Sequence, residues 1–362
     1  MAQLQAQAGD PQAGGPQPGE PQPGGLTLAA GRFFAARLAA SWVPGYLAGR
    51  GFGDQALRPW TVGYAPAGWR ALATHLRDLG YPDAAIQAAG LARRTRRGAL
   101  VDFFRDRAMF GIRWPDGTLA GFTGRARPGA TQPGPVYLNS RTTGLYHKGS
   151  LLFGLYEGRL ALAAGARPVL VEGPLDAIAV SAAGRYAGVS PCGTALTPAQ
   201  VTLLTRASDL GRTGMVVAFD ADPAGRRAAV RAYHLLRGVT DHAFTLVLPP
   251  GQDPAGFRRE HGGRALARRL DANVPLADLV VDDAVAPFER WLEFLDGKFA
   301  ALHAAAPLVA GLPSGQVARQ VARLAGRLGL NYAEVTEAVT GALRPGELRR
   351  GMPGGGPGLA GS

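Results

Sequence analysis

The 362-residue chain has room for two or three modest domains, and with 46% apolar residues it is neither a peptide nor a fibre. Thirty-nine Lys and Arg against twenty-seven Asp and Glu give a net charge of +12, which favours polyanionic partners through counterion release, nucleic acid first among them. Arg167 and Glu172 interrupt the richest apolar stretch, so no membrane span is expected, and the single cysteine, Cys192, can form neither an internal disulfide nor a CxxC-type zinc site.

Residues 1–27 and 346–362 are rich in Gly and Pro and are expected to be disordered tails. The first of them lacks the apolar core of a secretory signal, so a cytoplasmic location is expected. Residues 28–165 read as an α+β subdomain. Apolar residues recur at helical spacing from Gly31 to Ala48, and a short extended piece from Arg58 to Pro66 leads into a helix through Leu79. Ala108 to Arg113 and Gly117 to Arg125 read as short antiparallel strands. Between Arg93 and Arg113 seven arginines face only two acids, Asp102 and Asp106, with Phe103, Phe104 and Phe110 interleaved. Such a mix suits a strand-binding groove.

Residues 166–265 alternate strand and helix, which predicts an α/β domain with a mainly parallel sheet covered by helices. Ligands of such sheets sit past the carboxyl ends of the strands. Residues 266–345 turn wholly helical, with Asn331 and Glu334 as a capping pair for the last helix.

Two strand ends carry acids: Glu172-Gly173-Pro174-Leu175-Asp176 follows Pro-Val-Leu-Val, and Asp220-Ala221-Asp222-Pro223-Ala224-Gly225 follows Met-Val-Val-Ala-Phe. Taken singly, Asp222 before Pro223 is a good helix N-cap, and Asp176 suits a helix start. Caps do not explain Glu172 on a neighbouring strand or the second acid Asp220. Carboxylates crowded at one edge repel one another unless a cation compensates, and hard oxygen ligands suit Mg2+ or Mn2+. Asp253, in Gly251-Gln252-Asp253-Pro254, adds an acidic loop that also reads as a turn start.

These motifs resemble the Toprim domain, and the Ala-Gly version after Asp222 is similar to bacterial DnaG-type primases. The resemblance continues upstream through Tyr46-Leu-x-x-Arg50-Gly51, Gly63-Tyr64-Ala65-Pro66, Asp102-Phe-Phe-Arg105-Asp106-Arg107, Gly121-Phe-x-Gly124-Arg125, Tyr137-Leu-Asn139-Ser140 and Lys148-Gly149. It implies a primase catalytic core: an enzyme that makes short RNA primers on single-stranded DNA from ribonucleoside triphosphates. By that resemblance Glu172, Asp220 and Asp222 are catalytic and bind metal, with Asp176 and Asp253 as further metal-site acids. Arg105, Arg107, Arg125, Asn139 and Lys148 would face template or nucleotide. Lys148 stands out because it and Lys298 are the only lysines in the chain.

The chain departs from the family pattern in three ways. It offers no zinc-domain ligands and no counterpart of the helicase-binding domain, and Val136 and Ala255 stand where the family often has a lysine and a second acid. A replicative helicase and a separate zinc-domain protein are the protein partners that the resemblance implies. Two other readings stay open: a Toprim nuclease, and a DNA-binding replication accessory of a mobile element with little catalysis.

Overall fold

The computed structural model describes residues 23–129 and 134–343. The amino-terminal part is built on a four-stranded antiparallel sheet. Its strands are β1 (Val62–Ala65), β4 (Arg107–Arg113), β5 (Leu119–Ala126) and β6 (Tyr137–Asn139), in the order β1-β4-β5-β6. A smaller pair, β2 (Ala92–Arg94) with β3 (Leu100–Asp102), lies beside it. The β4–β5 hairpin turns through Pro115-Asp116-Gly117, a sequence that presets such a turn: the Asp116 carboxylate accepts from the Thr118 amide at 2.8 Å, and Gly117 takes φ +93°.

The middle of the chain forms a five-stranded sheet in the order β11-β10-β9-β7-β8, from β7 (Arg167–Val171), β8 (Tyr186–Val189), β9 (Met215–Ala218), β10 (Ala243–Thr245) and β11 (Val274–Pro275). The first four run parallel and β11 closes the edge antiparallel. Val169, Leu170, Val171, Val216 and Val217 are fully buried, as strands covered on both faces require. The Pro174–Ser181 helix lies so close to β8 that a Cβ on Gly188 would meet the Ala177 carbonyl oxygen at 2.3 Å.

One apolar cluster runs from Val43, Phe52 and Phe110 of the amino-terminal part to Val169, Ile178 and Leu270, so both sheets share a core. A second cluster joins β7 and β9 to the helices Leu276–Val285, Leu295–Ala310, Ser314–Leu328 and Tyr332–Gly341. The last of these begins with the expected reciprocal cap between Asn331 and Glu334.

Several expectations need revision. The helix Pro23–Ala36 begins inside the stretch read as a tail; residues 1–22 and 344–362 lie outside the described residues. The helical run from Gly31 to Ala48 is two helices, Pro23–Ala36 and Val43–Gly49, separated by turns. The boundary drawn at residue 265 cuts the helix Gly263–Asp271, because the sheet continues to β11. The basic and aromatic stretch from Arg93 to Arg113 is no open groove: Phe104, in the loop before β4, and Phe110, on β4, are 1% and 0% exposed, because large aromatic side chains fill a core as readily as they line a cleft. No helix among the described residues is long and apolar enough to cross a membrane.

Candidate active site

Parallel strands bring their carboxyl ends to one edge, and four acids stand there. Glu172 follows β7, Asp220 follows β9, Asp253 starts the Pro254–His261 helix after β10, and Asp176 sits in the first turn of the Pro174–Ser181 helix. They line one cavity of about 330 Å3. The Glu172 Oε1 accepts from the Asp220 amide at 3.1 Å, which ties the two strand ends together across the sheet. The Asp176 Oδ1 accepts from the Ala255 amide at 3.1 Å, so Ala255 is buried and its backbone holds that carboxyl.

Burial, then repulsion from Glu172, Asp253 and Asp222, pushes the Asp220 carboxyl up to about 6. Burial, with Asp253 adding to it, pushes Asp176 up to about 8. These are acids held close without a matching cation, which is the electrostatic setting that a divalent ion relieves. The donor set is all carboxylate and so suits a hard cation. As the side chains stand, no three of them among the described residues close round one point.

Asp222 and Asp253 each do the work of a helix cap, accepting from the Gly225 amide at 2.7 Å and from the Gly256 amide at 2.5 Å. Each cap uses Oδ1, so the other oxygen of each carboxylate keeps its acceptor capacity. Asp222 faces a neighbouring cleft that it shares with Asp220 and does not line the main cavity. Gly225 is demanded by the same corner. A Cβ there would lie 2.2 Å from the Asp220 carbonyl oxygen and 3.0 Å from the Glu172 Oε1.

Arg50, Thr123, Arg125, Tyr137 and Asn139 form the opposite wall. The Arg125 guanidinium lies over two rings, 5.4 Å from Tyr46 and 5.1 Å from Tyr137. The Asn139 side-chain amide donates to the Cys192 carbonyl at 2.5 Å, and its Oδ1, with Thr123 Oγ1 and Arg125 Nε, is buried without a hydrogen-bond partner among the described residues. Buried polar atoms left open beside a cavity mark a place for a ligand or water.

The remaining basic candidates sit elsewhere. Arg107 is buried and donates to the carbonyls of Gly124, Pro135 and Val136 at 2.9 to 3.3 Å, so its guanidinium fastens β5 to the segment that leads into β6 and does not line the cavity. Arg105 stacks 3.5 Å over the ring of Trp69, which is 56% exposed. Neither arginine hydrogen-bonds Asp102 or Asp106. Asp102 caps the Ala71–Asp78 helix through the Leu72 and Ala73 amides, and Asp106 accepts from Trp42 Nε1 and the Tyr64 hydroxyl, both at 2.9 Å. Lys148 is exposed on a short 3-10 turn, Lys148–Ser150, and does not line the cavity. Sequence reasoning missed Arg50 as a wall residue and Trp69 as an exposed stacking surface. The signal for Trp69 was a large aromatic residue directly after the turn-forming Pro66-Ala67-Gly68 and just ahead of a helix.

A parallel sheet with acids at the carboxyl ends of β7 and β9 and a basic wall opposite defines a Toprim protein joined to an amino-terminal α+β unit. Comparison with known proteins agrees over most of the chain: residues 33–159 match the DNA primase catalytic core, N-terminal domain, and residues 169–257 match a Toprim-like domain. The RNA polymerase domain of Mycobacterium tuberculosis primase DnaG superposes with a TM-score of 0.73 at 31% identity, covering 84% of this chain and 98% of that domain. A DnaG primase catalytic domain bound to ssDNA gives 0.71 at 29% identity, covering 86% and 98%. The DNA primase of Streptomyces coelicolor is 34% identical over 307 residues, 83% of this chain and 47% of that protein. The chain belongs to the family of DnaG-type DNA primase catalytic cores, and it spans about half the length of the curated relatives it matches. Membership of that family implies use of a divalent metal in general.

Proposed function

We propose that this chain is the polymerising core of a primase, which joins ribonucleotides on a single-stranded DNA template in the cytoplasm with Mg2+ or Mn2+. One observation carries the reading: four carboxylates floor a cavity whose far wall is Arg50, Arg125 and Asn139. Such a floor holds metal and such a wall holds phosphate.

Glu172, Asp220 and Asp222 would hold the metal, with Asp176 and Asp253 beside them. Bound there, a divalent ion neutralises charge on the triphosphate and favours ionisation of the attacking 3′-hydroxyl. The chain's own groups do the rest. Arg125, braced between two tyrosine rings, and Arg50 orient phosphate oxygens, so that the 3′-hydroxyl meets the α-phosphorus in line with the departing pyrophosphate. The exposed Trp69, with Arg105 stacked on it, offers a base-stacking surface for template. Arg107 supports this architecture from within, and Lys148 meets nucleotide from an exposed turn outside the cavity. A helicase and a separate zinc-domain protein complete the set of proposed partners.

Primer synthesis from ribonucleoside triphosphates on mixed single-stranded templates is the test, with wild type, Asp220→Ala and Trp69→Ala compared. Asp220→Ala loses synthesis while strand binding survives; Trp69→Ala weakens strand binding by about 1 to 3 kcal/mol. Synthesis by Asp220→Ala at the wild-type rate would refute the assignment. Shortening of labelled strands without triphosphates would favour a nuclease instead.

A further inference from the structure

We infer that a second site, for a small polyphosphate, lies at the amino edge of the five-stranded sheet, at the far end from the acids. A depression of about 660 Å3 opens there, and three arginines line it: Arg167 at the start of β7, Arg185 just before β8, and Arg212 in the turn that leads to β9. Among the described residues only one carboxylate, Asp271, lines it with them.

The three guanidinium groups are held to different degrees. Arg167 Nε donates to the Thr213 carbonyl at 2.6 Å, and its guanidinium lies 4.9 Å over the Phe244 ring, which fixes the group at the rim. Arg185 pairs with Asp271 at 2.6 Å, and Asp271 also accepts from the Tyr186 hydroxyl. Arg212 has Asp209 as its ionic partner at 3.8 Å, too long for a hydrogen bond, and its side chain is 72% exposed. Arg167 is anchored, Arg185 and Arg212 reach toward solvent with side chains 75% and 72% exposed, and the three guanidinium groups border one concave space that an anion with several oxygens can bridge. The rest of the lining is small, chiefly alanine and glycine, so the space is open to a ligand of nucleotide size.

The location separates this site from the catalytic edge. Arg167 begins β7 and Glu172 follows its end, five residues on, which at the usual rise is roughly 16 Å. The amino edge presents arginines where the carboxyl edge presents carboxylates, so binding there needs no divalent metal. The shared chemistry is a chain of phosphates, carried by a nucleotide or free in solution.

The experiment is calorimetric titration of the full chain with inorganic tripolyphosphate in EDTA, repeated with ATP and with a short single-stranded oligonucleotide. Wild type binds tripolyphosphate at one site, and Arg212→Glu weakens it at least about tenfold. Arg185→Gln with Arg212→Glu abolishes it, while Asp220→Ala leaves it unchanged. Primer synthesis and the melting temperature of Arg212→Glu and of the milder Arg212→Gln check that each is folded. ATP binding more tightly than tripolyphosphate identifies a nucleotide as the natural carrier, and equal affinity identifies the phosphate chain alone. The proposal is overturned by any of three results: no binding to folded wild type, affinity equal in wild type and both Arg212 variants, or loss in Asp220→Ala. Oligonucleotide binding that depends on Arg212 without tripolyphosphate binding would also overturn it, since the surface would then serve DNA backbone.

Discussion

Two groups of carboxylates share the walls of one cleft of about 570 Å3, and they live by opposite rules. Asp278 and Asp282, four apart on the Leu276–Val285 helix, meet Arg319, Arg323 and Arg327, spaced four apart on the Ser314–Leu328 helix. Arg319 grips Asp278 with two bonds of 2.6 and 2.7 Å. Burial works against the charge at Asp278, but hydrogen bonds from Arg319 and Gln320 bring its carboxyl below the usual range. At the sheet edge no arginine among the described residues forms an ion pair with Asp220, and burial, then repulsion from Glu172, Asp253 and Asp222, pushes its carboxyl up to about 6. The same residue type therefore serves stability where an arginine answers it, and is held available for a cation where none does.

The largest effect that sharpens this contrast is expected at Asp220. Asp220→Asn should lower primer synthesis about 1,000-fold while the metal-free protein melts no lower than wild type. Any magnesium-dependent rise in melting temperature should vanish with it. Next comes Gly225→Ala. Helix propensity alone would make it stabilising by about 1 kcal/mol, but the new Cβ meets the Asp220 carbonyl oxygen at 2.2 Å. The clash wins, costing about 3 kcal/mol and most of the activity, as melting curves and the primer assay would read.

Glu157 lies between the two rules. Its side chain is 2% exposed, Arg113 Nε stands 3.9 Å away, and its Oε1 has no hydrogen-bond partner among the described residues. Burial pushes it from 4.5 up to about 7, with Arg113 only partly opposing. An acid whose folded value is raised binds its proton more tightly folded than unfolded. Its penalty is therefore absent below pH 4.5, grows as pH climbs through about 7, and is constant above. Glu157→Gln should melt like wild type at pH 4.5 and be the more stable by about 2 to 3 kcal/mol at pH 8.5. The smallest effect is at the ladder itself. Asp278→Ala should cost about 2 kcal/mol in denaturant titration and leave metal binding intact, less than a fully buried pair because the Arg319 side chain is half exposed.

Much of this was legible in the chain. Strand and helix alternate visibly from Pro168 to Leu248, and acids after two buried strands fix an edge once the strands are parallel. The Toprim and primase resemblance rested on those same residues. What stayed hidden depended on partners distant in sequence. Arg107 looks like any surface arginine until Pro135 and Val136 are seen to place carbonyls around it. Asp102 reads as an ion-pair partner for Arg105, yet it caps a helix thirty residues earlier in the chain. Phe104 and Phe110 have the spacing of a stacking platform and the burial of a core. The arginine-aspartate ladder pairs side chains 41 to 45 residues apart, which no local pattern announces.

The two flanks of the five-stranded sheet carry a final consequence. Beside β8, Phe153 and Ser190 exchange backbone bonds of 2.9 and 3.0 Å, so a short crossing segment occupies that border. On the other border β11 is only two residues long, and one of them, Pro275, has no amide hydrogen to offer. At the β11 border a second copy meets no row long enough to extend the sheet, and on the other side the bridge at Ser190 stops the row just past the end of β8. Edge-to-edge growth of this sheet from the β11 side is thereby hindered, at concentrations where a longer open border would seed it.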